Sequence, residues 1–187
     1  MLPRNPRRAD LRRAVACLRR GEVLAYPTEG VWGLGCDPKQ LPAFRKILRL
    51  KGRAQKKGVL LITGQDQHTH RYCERDAPLA LNPADYWPGT TLVLPACAQC
   101  PRWIRGRHSG IALRVSAHPA VQQLSAAFGG AIVSTSANPA GKRPARSLRE
   151  VYRYFGRRVT VLSARLGGAR RPSTIIDARS GKVLRSG

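Results

Sequence analysis

The sequence predicts an α/β protein built on one open mixed sheet. Three observations lead there. Short apolar runs of strand length alternate with amphipathic stretches of helical period over most of the chain. Several runs, "EVLAYP" and "GVLLIT" among them, are almost continuously apolar, as in strands covered on both faces. The length of 187 residues with 42% hydrophobic content suits a single domain spanning residues 1–187.

The elements follow in order. Asp10 to Arg20 reads as a helix, capped by Asp10, with Leu11, Val15 and Leu18 on one face and Gly21 as its stop. "EVLAYP" is the first strand, and it runs into "TEGVWGLG", a carboxylate and three glycines in a turn or ligand loop. "QLPAFRKILRL" places Leu41, Phe44, Ile47 and Leu48 on one helical stripe, closed by Gly52. "GVLLIT" is the second strand. Gln65 to Tyr72 and Ala77 to Tyr86 read as short helices. "TTLVLP" and "GIALRVS" are the third and fourth strands. "HPAVQQLSAAFGG" is a helix closed by glycine, and "AIVSTSAN" a strand entering a polar loop. In "SLREVYRYFG", Ser147 and Glu150 have the spacing of a capping box. "VTVLS", "STIID" and "KVLRS" are short strands, the last two joined as a hairpin by "ARSG". "RLGGARRP" reads as irregular.

Charge and cysteine content narrow the classes. Against 34 Lys and Arg stand only 10 Asp and Glu, a net charge of +24. Such a chain attracts polyanions, RNA or polyphosphate among them, unless the charge is simply spread over a solvated surface. No apolar run approaches the ~18–20 residues that cross a bilayer, and the basic N-terminus lacks the apolar core of a signal peptide. A cytoplasmic location and no membrane partner are expected. Five cysteines without an export signal argue against a disulfide framework. Cys97 and Cys100 form a CxxC, and a zinc site there would need two more ligands, for which His68, His70 and Cys73 are candidates.

Ligands of α/β sheets bind at the carboxyl ends of strands. Four loops near strand ends are rich in polar groups: Pro27-Thr28-Glu29, "KGRAQKKG", "WPGTT" and "STSANPAGKRPARS". Lys51 and Arg53 can grip phosphate oxygens, one as a point charge and one as a fork, although cations also favour a helix C-terminus. Ser134, Thr135, Ser136 and Asn138 offer hydroxyls and an amide, as a phosphate loop or an ordinary turn would. No two carboxylates stand at DxD or ExxE spacing in a strand-end loop, so a dedicated two-metal site is not expected. Walker A, GxGxxG and nucleophile-elbow patterns are absent from the sequence.

Taken together, "AYPTEGVWGLGCDP", "LKGRAQKKGVLLI", "WPGTTLVLP", "IALRVSAHP", "VSTSANPAG" and "RRPSTIID" resemble, in order and approximate spacing, the YrdC/TsaC family of threonylcarbamoyl-AMP synthases in its short form. Gly30 departs from the Thr or Ala frequent there, Trp32 stands for Tyr or Phe, and "WPGTT" is one residue short. The resemblance implies an open, twisted α/β sheet with flanking helices and a basic concave cleft. It implies that L-threonine, bicarbonate or CO2, and ATP become threonylcarbamoyl-AMP and pyrophosphate. Magnesium would arrive with ATP, with no protein metal site. Other proteins of the pathway would then move the group to tRNA. Lys51 and Arg53 are the implied catalytic cations. Together with Thr91, Ser136 and Asn138 they would bind ATP. Thr28, Arg114, Ser134, Ser173 and Thr174 would face threonine. The rival reading is a non-catalytic double-stranded-RNA or ribosome-maturation module.

Overall fold

A computed structural model of the chain describes residues 5–54 and 58–187. Gln55 to Lys57, the middle of the cationic "KGRAQKKG" loop, lie outside the described residues. The helices are α1 (Arg8–Arg19), α2 (Leu41–Lys51), α3 (Arg102–Arg105), α4 (Pro119–Phe128) and α5 (Leu148–Phe155). The strands are β1 (Leu24–Pro27), β2 (Trp32–Gly35), β3 (Leu60–Thr63), β4 (Thr91–Pro95), β5 (Gly110–Val115), β6 (Ile132–Ser136), β7 (Thr160–Val161), β8 (Ile175–Asp177) and β9 (Val183–Arg185). They form one mixed sheet in the order β7-β1-β2-β6-β3-β5-β4-β8-β9.

Two apolar layers cover this sheet. Leu34, Leu61, Leu92, Leu113 and Val133 pack with Phe44 and Ile47 of α2 and with Val151 and Phe155 of α5. On the other face Leu24, Tyr26, Ile62 and Ile132 pack with Leu18 of α1 and with Val121 and Leu124 of α4. The ladder aligns Ile62, Arg114, Thr91, Ile175 and Arg185 across five strands. Residues paired this way share a face. The cleft opens beside α1 and α4, on the face that carries this row.

Local rules account for most boundaries. Gly52 closes α2 in the left-handed conformation (φ 61°). Ser147 and Glu150 form the capping box of α5. Helix α1 begins at Arg8, so Asp10 sits in its first turn and pairs with Arg13 instead of capping it. The two short helices expected before β4 contract to single 3₁₀ turns, Asp66–His68 and Pro83–Asp85. α3 was not expected at all.

The largest departure is β2, where the sequence suggested a turn or ligand loop. Gly33 and Gly35 lie under the Tyr26 ring, and a Cβ on Gly33 would stand 3.1 Å from its Cζ atom. These glycines let an aromatic side chain lie flat on a neighbouring strand, so their bareness serves packing inside the sheet.

Candidate functional site

A cavity of about 520 Å³ lies over the ends of β1, β3, β5 and β6. Four arginines line it, Arg53, Arg114, Arg171 and Arg185, against a single carboxylate, Glu29. Each reaches the cavity from a different part of the chain.

The loop after β1 is folded by its own threonine. Thr28 Oγ1 donates to the Val31 carbonyl at 2.7 Å, and the backbone N–H of Thr28 donates to the same oxygen at 3.2 Å. The loop thereby turns Glu29 toward β5. Its Oε1 accepts from Ser116 Oγ at 2.6 Å, and its Oε2 stands 2.8 Å from Arg114 Nη2. The second contact is an ion pair and not a well-directed hydrogen bond, because no N–H of Arg114 points along it. Side-chain exposures of 14% for Arg114 and 22% for Glu29 leave the pair partly shielded from water, where it keeps more of its strength than a surface pair.

A strap closes one wall. The chain from Leu166 to Ser173 runs past the Thr28–Glu29 loop, with Gly167 N–H donating to Thr28 O at 3.0 Å and Ala169 N–H to Glu29 O at 2.8 Å. Arg146 grips it from outside through the carbonyls of Ala169 and Arg170. Gly30 faces this strap, and a Cβ there would meet Ala169 O at 3.2 Å and Arg171 O at 3.3 Å. The segment read as irregular in the sequence is irregular because it is tied to a loop, not to a strand.

Arg53 follows the C-cap of α2 and donates through Nη2 to Gly58 O at 2.9 Å, while its Nε is buried without a partner. Burial pulls its pKa below the ordinary value. Two residues earlier, Lys51 behaves differently. It is 5% exposed and does not line the cavity. Its Nζ donates to Ser136 O, to Asn138 O at 2.8 Å and to Asn138 Oδ1 at 3.3 Å. Burial, with the charge of Arg53 added, pushes its pKa down to about 8.

The ten residues singled out from the sequence therefore divide. Thr28, Arg53, Arg114, Ser134, Ser136 and Ser173 line the cavity. Lys51, Thr91, Asn138 and Thr174 stand behind that lining. Thr91 is fully buried and its hydroxyl is 2.8 Å from Ser173 Oγ. The Thr174 carbonyl accepts from Thr91 N–H at 2.9 Å. The amide of Asn138 donates to Pro139 O and Lys142 O.

The sequence reading assigned no site role to Ser116, Arg171 and Arg185, and left Glu29 without a partner. Ser116 was accessible, because it stands two residues from Arg114 and strand alternation puts both on one face. Arg185 carries no local signal. It arrives through the β8–β9 hairpin, and its Nη2 donates to Ser173 O at 2.7 Å. Burial, and then the charge of Arg114, lower its pKa.

The CxxC pair does not gather ligands. Cys97 Sγ is 3.1 Å from Arg71 O, Cys100 is buried, and all five thiols are free. Among the described residues no group of three or more His, Cys, Asp or Glu side chains is placed to hold a metal ion.

Fold and site together define an α/β protein with an arginine-lined cavity on one sheet face, suited by charge to anionic small molecules. The family model Sua5/YciO/YrdC, described as telomere recombination, matches residues 16–187, and the chain belongs to that family. A protein of Halorhodospira halophila named threonylcarbamoyl-AMP synthase is 50% identical, over 98% of this chain and 97% of its own. One of the same name from Chromohalobacter salexigens is 49% identical, over 92% and 94%. Among solved structures, P. abyssi Sua5 complexed with L-threonine superposes with a TM-score of 0.77 at 28% identity, over 89% of this chain and 50% of that one. The chain thus spans about half the length of that Sua5. E. coli YciO shares the fold, with a TM-score of 0.81 at 24% identity over 99% and 92%.

Proposed function

We propose that the chain is a threonylcarbamoyl-AMP synthase, converting L-threonine, bicarbonate or CO2, and ATP into threonylcarbamoyl-AMP and pyrophosphate. The observation that carries this reading is the cavity itself. Four arginines face one carboxylate, which is already paired, so the site keeps a surplus of positive charge for anionic reactants. The identity of 50% to a relative of that name supports it.

The chemistry asks for positioning more than for a protein nucleophile. Threonine's ammonium loses a proton, and its nitrogen attacks the carbon of CO2 to form the N–C bond of a carbamate, with loss of a second proton. A carbamate oxygen then attacks the α-phosphorus in line, and the bond from that phosphorus to the β-bridging oxygen breaks as pyrophosphate leaves. Two anions must meet in this step. Arg53 neutralises the phosphates, and Ser136 lines the cavity beside it with its hydroxyl held by Asn138, to whose Oδ1 it donates at 2.6 Å. Arg114 takes the threonine carboxylate, beside Thr28, Ser134 and Ser173. Thr91 and Thr174 act through Ser173, which precedes β8. Magnesium bound to ATP would supply further charge neutralisation, held by phosphate oxygens, because both oxygens of Glu29 are engaged.

The product would pass to other proteins that modify tRNA. The charge of +24 supports RNA affinity as well, and no helix among the described residues is long and apolar enough to cross a membrane. A cytoplasmic site of action fits both. The test is incubation with ATP, threonine and labelled bicarbonate. Threonine-dependent pyrophosphate release with a labelled adenylate is expected, and Arg53→Ala is expected to abolish it while the protein stays folded. Release that ignores threonine, or no release, overturns the reading.

A further inference from the structure

We propose that Lys51 is a positioning residue, an ammonium latch that holds the Ser136–Ala140 turn in its cleft-forming shape and makes no contact with the bound phosphates. An ammonium has three protons and no acceptor capacity. Lys51 has three acceptors within reach, the Ser136 carbonyl, the Asn138 carbonyl and Asn138 Oδ1, so every proton is committed inside the protein. Its own carbonyl accepts from Ala140 N–H at 2.7 Å. One residue thus holds both ends of the turn, the β6 end through its side chain and the far end through its backbone.

The surroundings agree. Lys51 is 5% exposed and is absent from the cavity wall, whereas Arg53 is part of it. No carboxylate pairs with Lys51 among the described residues. Its charge is met by oxygen dipoles of the turn alone. The left-handed Gly52 between the two cations separates their directions. The first points back into the protein and the second into the cleft. The same turn bears Ser136, which lines the cavity, and Asn138, whose Oδ1 accepts both from Ser136 Oγ and from Lys51. Displacing the ammonium would strand the Asn138 carbonyl and free Asn138 to turn, and Ser136 would lose the partner that aims its hydroxyl.

The catalytic consequence rests on the synthase reading, but the latch is tested without it, by hydrogen exchange on the full chain with no nucleotide or threonine present. Lys51→Met is expected to speed exchange of the Asn138 and Ala140 amides at least about tenfold, with the β3 and β5 amides unchanged. Inorganic pyrophosphate affinity is expected to fall no further in Lys51→Met/Asn138→Ala than in Asn138→Ala alone. In the wild-type protein, the Lys51 ammonium protons are expected to be slowly exchanging and their resonance to stay in place when pyrophosphate is added, a measurement that needs no variant to fold. Wild-type exchange at Asn138 and Ala140 in Lys51→Met overturns the latch. So does a pyrophosphate-induced shift of the ammonium resonance with additive losses in the double variant, which would make Lys51 a direct phosphate ligand.

Discussion

Glu29 is the residue on which the charge balance of the cavity turns, and replacing it with alanine gives a quantitative check. The substitution removes the partner of Arg114 at 2.8 Å and the acceptor of the Ser116 hydroxyl at 2.6 Å. Arg114 is then left unpaired, with the charge of Arg185 close enough to be felt. Breaking a buried pair by deleting one member costs about 3–5 kcal/mol. With exposures of 14% and 22% the low end applies, so the loss should be about 3 kcal/mol. In a chain of this size each kcal/mol moves the melting temperature by roughly 2–4 °C, so the expected fall is about 6–12 °C. Glu29→Gln should cost about half as much, because its amide oxygen can face Arg114 while its amide nitrogen donates to Ser116 Oγ. Differential scanning calorimetry of the three proteins, with and without pyrophosphate, reads both effects. The anion should raise the melting temperature of Glu29→Ala more than that of the wild type, since it finds one more free guanidinium. A Glu29→Ala protein that melts within about 2 °C of wild type, with an ordinary response to pyrophosphate, refutes the reasoning.

Three further outcomes are expected. Gly167→Ala places a Cβ 2.8 Å from Glu29 Cα and 2.9 Å from Glu29 O, backbone atoms that cannot step aside, so the strap should lift at a cost of about 2 kcal/mol and limited trypsin digestion should cut faster after Arg170, the Arg171–Pro172 bond being resistant to trypsin. Gly130→Ala, where nothing lies within 4 Å, is the neutral control. Arg185→Ala should lower kcat/KM about 10- to 100-fold by removing a charge-assisted contact to an anionic reactant, with partial recovery in Arg185→Lys; unchanged kcat/KM would remove Arg185 from the site. Lys51 adds a pH dependence: its folded pKa of about 8 lies below the ordinary 10.5, so its contribution to stability is fully present above 10.5 and is lost as pH falls through about 8. The stability difference between wild type and Lys51→Met, from urea unfolding, should therefore shift in favour of the wild type by up to roughly 3 kcal/mol as pH rises across that window.

The sheet and its flanking helices were legible wherever one local rule decided the outcome. The stripe of Phe44 and Ile47, the Ser147 capping box and the β8–β9 hairpin each rest on a few consecutive residues, and each stands in the structure. β2 was not legible, because two of its four residues are glycine and the reason for them lies in the Tyr26 ring of the neighbouring strand. The short helices before β4 failed for a different reason. Gln65 to Tyr72 has no apolar residue before Tyr72 to form a helical stripe; there Thr69 is fixed by its hydroxyl on the Asp66 carbonyl and Tyr72 by its N–H on the Thr69 carbonyl, and the chain turns instead of continuing.

The site shows the same division more sharply. Motif positions told which residues gather, but not which way each points. Lys51 and Arg53 are alike in the sequence, two cations after one helix. The left-handed Gly52 sends one into a cage of carbonyl oxygens and the other to the cavity wall. Thr91 and Ser173 lie far apart in the chain, yet the pairing of β4 with β8 joins their hydroxyls at 2.8 Å, so that the buried one holds the one that faces the cleft. Arg185 enters the cavity only because β9 pairs with β8, β8 with β4 and β4 with β5, which sets it in the same row as Arg114. Register over three strand pairs is a property of the whole sheet. A cavity whose charge depends on that row cannot be read from loops alone, and that is why Arg114 was found from the sequence while Arg185 was not.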